Sequence, residues 1–238
     1  KEPLKAALIR QCSFFYFHTT SNQQPYHMPQ DNSIDCVALI TKIHSYSEND
    51  QIITVFSPTH GRIQFIAKNS KRLGKKRFPV IDIFREIQLQ LKVSPNSELC
   101  QVKEVELKQT FTAASNFYHL QHLSWIAQFI NSNSVFRDDY PESYKHLITT
   151  MTVLQDIKKI KQSNAWKTSF ILCYLEEQGF LAPDENSQQQ ELRQIIISLP
   201  KHPTIAEKFN DEYWEQLFQW ACQICHMQEL KIVEDIGI

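Results

Sequence analysis

Between Asp35 and Leu107 the apolar residues recur at every second position, and beyond about Thr110 at every third or fourth. These are the periods of a half-buried strand and of an amphipathic helix. Val37, Leu39 and Ile43, interleaved with Ala38 and Ile40, predict a first strand. The β-branched run Gln51 to Phe56 predicts a second. The turn Ser57-Pro58-Thr59-His60-Gly61 leads into a third, Arg62 to Lys68, with Ile63, Phe65 and Ala67 on one face. Ile81 to Val93 alternates most cleanly, Ile87, Leu89, Leu91 and Val93 being set between Gln88, Gln90 and Lys92. Ser94-Pro95-Asn96-Ser97 turns the chain into a fifth strand, Leu99 to Leu107. Five strands in about 75 residues fit a small closed barrel of oligonucleotide-binding (OB) type, and an SH3-like barrel gives nearly the same string.

The rest of the chain reads as helices. Phe117, Leu120, Trp125 and Phe129, with Leu123 and Ile126 beside them, form a stripe that ends at Asn131-Ser132-Asn133-Ser134. Tyr144, Leu147, Ile148, Met151, Leu154 and Ile157 form a second, opened by Pro141. Ser163 stands where it can cap a third, with Trp166, Phe170, Cys173 and Tyr174 inward, Gly179 at its end and Pro183 preventing a restart. A polar connector, Asp184 to Gln190, precedes a short helix from Glu191 to Leu199, bounded by Pro200 and Pro203. Asn210 is placed to cap the last helix, where Trp214, Leu217, Phe218, Ala221, Ile224 and Cys225 share a face. The fold class expected is α+β: a five-stranded OB-type barrel over 34–107, then an α-helical domain over 108–238. Residues 1–33 form a tail rich in Asn, Gln, Pro and Ser, with an apolar patch at Phe14 to Phe17. Met28 precedes the first strand directly, which makes the residues before it an upstream extension if translation begins there.

Charge changes this picture in one place. The net charge is −1, yet Gly61 to Arg77 carries Arg62, Lys68, Lys71, Arg72, Lys75, Lys76 and Arg77 and no acidic residue. A strand that feeds a basic loop suits a polyanion, because each phosphate neutralised releases a condensed counterion. A solvated run that keeps a strand edge soluble has the same composition. Phe65 and Phe78 adjoin the segment, but both fit the barrel interior as well as a stacking role.

Other chemistry finds little support. With 4 glycines the chain has no G-x-G-x-x-G and no phosphate-binding P-loop. No nucleophile has an identifiable base, and Glu48-Asn49-Asp50 reads as a turn held by side-chain to backbone bonds. Cys222-Gln223-Ile224-Cys225-His226 spells a haem or zinc pattern, but its cysteines fall on the apolar face of the last helix and no second ligand pair exists. The six scattered cysteines suit free thiols in a reducing cytoplasm. No apolar run spans a bilayer, and the N-terminal apolar stretch is broken by Arg10, Gln11 and Cys12, unlike a signal peptide.

The segment Ala38 to Arg72, ALITKIHSYSENDQIITVFSPTHGRIQFIAKNSKR, resembles the N-terminal part of the bacterial recombination mediator RecO. An apolar strand is followed by Tyr46 and the acidic pair Glu48 and Asp50, then Gly61, then Ala67-Lys68 with Lys71 and Arg72. Farther on, SFILCYLEEQGFLAP resembles that family's helix ending in a Gly-aromatic-x-x-Pro turn, here Gly179, Phe180 and Pro183. Two departures stand out. Many members place four zinc-binding cysteines after this turn, whereas DENSQQQELRQ follows here, so the resemblance is to the zinc-free branch and no metal or other cofactor is expected. Asn69 stands where a small residue, often glycine, is usual. The resemblance implies a cytoplasmic, non-enzymatic mediator of DNA repair and recombination. Such a protein binds single- and double-stranded DNA, anneals complementary strands, and assists RecA loading together with RecR and single-strand-binding protein. Carried onto this sequence, the DNA-contact residues are Arg62, Lys68, Lys71, Arg72, Lys75, Lys76 and Arg77. The alternative is an interaction scaffold whose basic loop receives an acidic protein tail.

Overall fold

The computed structural model describes residues 33–71, 80–94, 97–158, 160–181 and 187–233. The N-terminal tail, Met28, Phe78, Pro183 and the Pro95-Asn96 turn lie outside them. Five strands, β1 (Ser33–Ser45), β2 (Gln51–Ser57), β3 (Gly61–Ala67), β4 (Arg85–Ser94) and β5 (Ser97–Thr110), close into a barrel in the order β1-β2-β3-β5-β4. β4 returns to β1, with Cys36 opposite Leu89, and β3 meets β5 in a short parallel pairing, with Phe65 opposite Cys100. This order is that of an OB barrel, which resolves the choice left open by alternation alone. The barrel is filled by Ile34, Cys36, Ala38, Ile40, Ile53, Val55, Ile63, Phe65, Ala67, Ile87, Leu89, Leu91 and Cys100.

Two strand boundaries differ from expectation by three residues or more. β4 starts at Arg85, not Ile81, because Phe84 adopts a positive φ of 57° and leaves the extended conformation. Its amide donates to the Ile40 carbonyl at 2.9 Å, and its ring joins the helical core. β5 continues past Leu107 to Thr110, which pairs with Arg85.

The helices are α1 (Phe117–Asn133), α2 (Pro141–Leu154), α3 (Ser163–Glu177), α4 (Ser187–Ile197) and α5 (Asp211–Met227), with 3-10 turns at Thr112–Ser115 and Pro203–Lys208. α3 is the central helix, buried on every side from Ala165 to Leu175. Gly179, at φ 69°, ends it in a Schellman arrangement: Phe180 N–H donates to the Leu175 carbonyl at 2.8 Å and Gly179 N–H to that of Glu176 at 3.0 Å. Asn210 caps α5, accepting from Tyr213 N–H at 3.0 Å. Ser163 is instead the first helical residue of α3. The flanking position belongs to Gln162, which is left-handed at φ 55° and donates from Nε2 to the Phe209 carbonyl at 2.8 Å. Phe117 is not inward but 58% exposed, Ile157 lies beyond α2, and Ser187 to Gln190 are helical, not connector. None of the helices among the described residues is long and apolar enough to cross a membrane.

Barrel and helices share one seam. The β2–β3 turn inserts beneath the α1–α2 connection: Arg137 N–H donates to the His60 carbonyl at 3.0 Å and Tyr140 N–H to that of Pro58 at 2.8 Å. Phe56 packs on Tyr140 and Tyr144, with ring centroids 5.5 and 6.0 Å away. Gly61 has φ 59°, and a Cβ there would meet the Val135 carbonyl oxygen at 2.1 Å and the Tyr140 ring at 2.8 Å. The position therefore needs glycine for both its backbone angle and its space.

The helical core also contains polar groups. Lys167, 5% exposed, places Nζ 5.1 Å from the Trp125 ring centroid and 5.5 Å from that of Phe218. His122 and His146 are buried between α1, α2 and α3, and His146 Nε2 hydrogen-bonds with Ser169 Oγ at 2.9 Å. Burial pushes both imidazoles down to about 3, with the Lys167 cation adding to the effect at His122. Both are neutral at neutral pH.

Candidate nucleic-acid interface

The outward face of β1, β2 and β3 has a covered half and an open half, and the strand register shows where they meet. Leu39 is opposite Phe56, which is opposite Arg62. This row faces the helices, and Leu39 and Phe56 belong to the helical core. Arg62 is half-buried and donates from Nη1 to the Asn131 carbonyl at 2.7 Å, at the C-terminal end of α1. Thr41 Oγ1 donates to Asn131 Oδ1 at 2.8 Å, fastening the same helix end to β1.

Beyond this seam the face opens. A β-bulge between Ile40 and Lys42 shifts the alternation of β1, so Lys42 and His44 point outward while Ile43 packs on the barrel interior. Lys42 is opposite Thr54, which is opposite Gln64, and His44 is opposite Ile52, which is opposite Ile66. Ile52 and Ile66 are half-buried, whereas Lys42 and His44 are exposed. Neighbouring strands stand about 4.8 Å apart, so the row from His44 to Ile66 is about 10 Å wide.

The β1–β2 loop and the residues after β3 close this open end. Tyr46 N–H donates to the Asp50 carbonyl at 3.1 Å, and Asp50 N–H to Ser47 Oγ at 3.2 Å. Asp50 Oδ1 accepts from Asn69 N–H at 2.8 Å, and Lys71 N–H donates to the Asn49 carbonyl at 3.1 Å. The Glu48-Asn49-Asp50 cluster is thus the hydrogen-bonded turn expected from sequence, and Asp50 fixes the start of the basic loop. Asn69 has φ 59°. Its position needs the left-handed conformation that glycine adopts freely, and asparagine tolerates it better than most other residues.

The seven sequence-derived cations divide into three sets. Arg62 stands at the helix seam, where one of its five guanidinium N–H groups is engaged by the Asn131 carbonyl. Lys68 is exposed one residue beyond β3, and Lys71 lies over the β1–β2 loop with Nζ donating to the Ser47 carbonyl at 3.0 Å. Among the described residues, no carboxylate forms an ion pair with either lysine. Arg72, Lys75, Lys76 and Arg77 lie outside the described residues. Lys42 and His44 also stand on the open face, a placement that depends on the bulge and that sequence alternation did not reveal. Phe65 is fully buried in the barrel.

At the other end of the molecule, α5 turns Cys222 and Cys225 into the core and leaves His226 exposed. Burial pushes the Cys225 thiol up to about 12, which keeps it protonated. The C-x-x-C-H pattern is here a helix face that packs. Among the described residues, no three His, Cys, Asp or Glu side chains are grouped to hold a metal ion.

Residues 32–111 match the family model described as Recombination protein O N terminal. The match begins one residue before β1 and ends one residue after β5, so it spans the whole barrel. No curated protein matches the chain.

Proposed function

On the match of residues 32–111 to the RecO N-terminal family model, we propose that the chain is a member of the RecO family, a non-enzymatic mediator of recombination and DNA repair that holds DNA on the open half of the barrel face. The observation that carries this reading is the placement of Lys42, Lys68 and Lys71 around the open end of β1–β2–β3, with the basic segment that contains Arg72, Lys75, Lys76 and Arg77 continuing from Lys71. Phosphates neutralised along this rim release counterions, which supplies affinity without base readout. Two strands held together lose part of their mutual repulsion, so complementary bases can find each other without a catalytic residue. Annealing, binding of single- and double-stranded DNA, cooperation with RecR and single-strand-binding protein, and support of RecA loading belong to this proposal.

The test is binding of a single-stranded oligonucleotide across a salt series. Four phosphate contacts give a slope of log K against log[salt] of roughly −3, and replacing Lys68 and Lys71 by Ala reduces its magnitude by about 0.7 per lysine. A slope near zero rejects the reading. An acidic protein tail that binds at Lys75, Lys76 and Arg77, with DNA binding unaffected by charge reversal there, favours the scaffold instead.

A further inference from the structure

We infer that Tyr46 is a base-stacking residue of the proposed DNA site and gives it a preference for single strands. The inference rests on the reading above and deepens it. Four described residues of the barrel are aromatic: Phe56, Phe65 and Phe84 are buried, and Tyr46 is 59% exposed. An exposed tyrosine alone is ordinary. This one stands at the junction of the two features a single-strand binder combines, a cationic rim and an aromatic surface.

Its surroundings hold it there. The outward alternation of β1 runs through Lys42 and His44 and reaches Tyr46 just after the last strand residue, Ser45. The Tyr46 amide and the Ser47 amide both donate to the Asp50 carbonyl, at 3.1 and 3.3 Å, which fixes the backbone of the loop. Lys71 anchors to the same loop through Ser47 and Asn49, and Asp50 ties Asn69 to it. Tyr46 therefore shares one hydrogen-bonded turn with Lys71. Glu48 is also exposed on this turn and repels phosphate, which leaves the cations of β1 and of the post-β3 segment to track the backbone on either side. A base from a single strand can lie on the ring while its flanking phosphates meet Lys42, Lys68 or Lys71. The paired, stacked bases of a duplex cannot do so without unpairing.

The test compares oligo-dT with an abasic oligomer of equal length, which keeps every phosphate and loses every base. Both are bound at one salt concentration to the wild-type chain, Tyr46→Ala and Tyr46→Phe. Stacking predicts that Tyr46→Ala weakens oligo-dT by at least about five-fold, leaves the abasic oligomer and duplex DNA unchanged, and that Tyr46→Phe retains wild-type affinity. Equal losses on oligo-dT and the abasic oligomer, or no loss on either, overturn the inference and leave the phosphate reading intact. If the wild-type chain binds neither oligomer in a salt-dependent way, the DNA reading fails and takes this inference with it.

Discussion

Lowering the pH from 7 to 5 sets protonation of His122 and His146 against the packing of α1, α2 and α3. Both imidazoles are buried, and both are held near 3 by that burial. His122 faces Lys167, His119 and His146, and His146 faces Ser169, the Ile197 backbone and Lys201. No carboxylate is among these neighbours to welcome a positive charge. A histidine whose folded pKa lies below its unfolded value of about 6.5 contributes its full stability above that value. The contribution is lost as pH falls toward the folded value. Between pH 7 and 5 the loss is about 2 kcal/mol per histidine, or about 4 kcal/mol for the pair. Burial also lowers His119, which adds in the same direction. That loss is a large part of the roughly 5–15 kcal/mol that holds a domain together. Urea unfolding at the two pH values measures it, followed by tryptophan fluorescence, since Trp125, Trp166, Trp214 and Trp220 all lie in the helices. The double substitution His122→Phe with His146→Gln should remove most of the pH dependence. A double variant that still loses about 4 kcal/mol between pH 7 and 5 refutes the reasoning.

Gly61→Ala should destabilise the chain by about 3 kcal/mol or more, because it combines a left-handed backbone angle with a Cβ inside contact distance of Val135 and Tyr140; thermal or urea unfolding checks this. Arg62→Ala should cost about 1.5–3 kcal/mol, the range for a hydrogen bond to a charged group, and leave the salt slope of DNA binding unchanged. A slope that drops as it does for the Lys68 or Lys71 variants would return Arg62 to the DNA-contact set.

The strands were legible wherever one face met the barrel interior and the other met water, as at Ile87 to Val93. β1 was harder to read because it is apolar on both faces in its middle: Ala38 and Ile40 fill the barrel while Leu39 packs on the helices. The β3–β5 pairing that identifies the barrel type joins residues far apart in sequence, and no local pattern encodes it. Ser163 had a capping side chain at a plausible place, but Gln162 takes the turn. Arg62 shows the limit of counting cations in a segment: composition registers the charge, while the Asn131 carbonyl that engages it lies on another element. At Asn69 the resemblance marked only a departure from a usual small residue, and the left-handed backbone there emerges from the structure.

The family match stops at residue 111, yet the packed interior does not. Leu39, Phe56 and Phe84 leave the barrel's own filling and sit in the same apolar cluster as Tyr140, Tyr144 and Phe170. The matched segment is therefore smaller than the packed body to which it belongs. Excising residues 32–111 would strip these three side chains of their cover and leave apolar surface on both pieces.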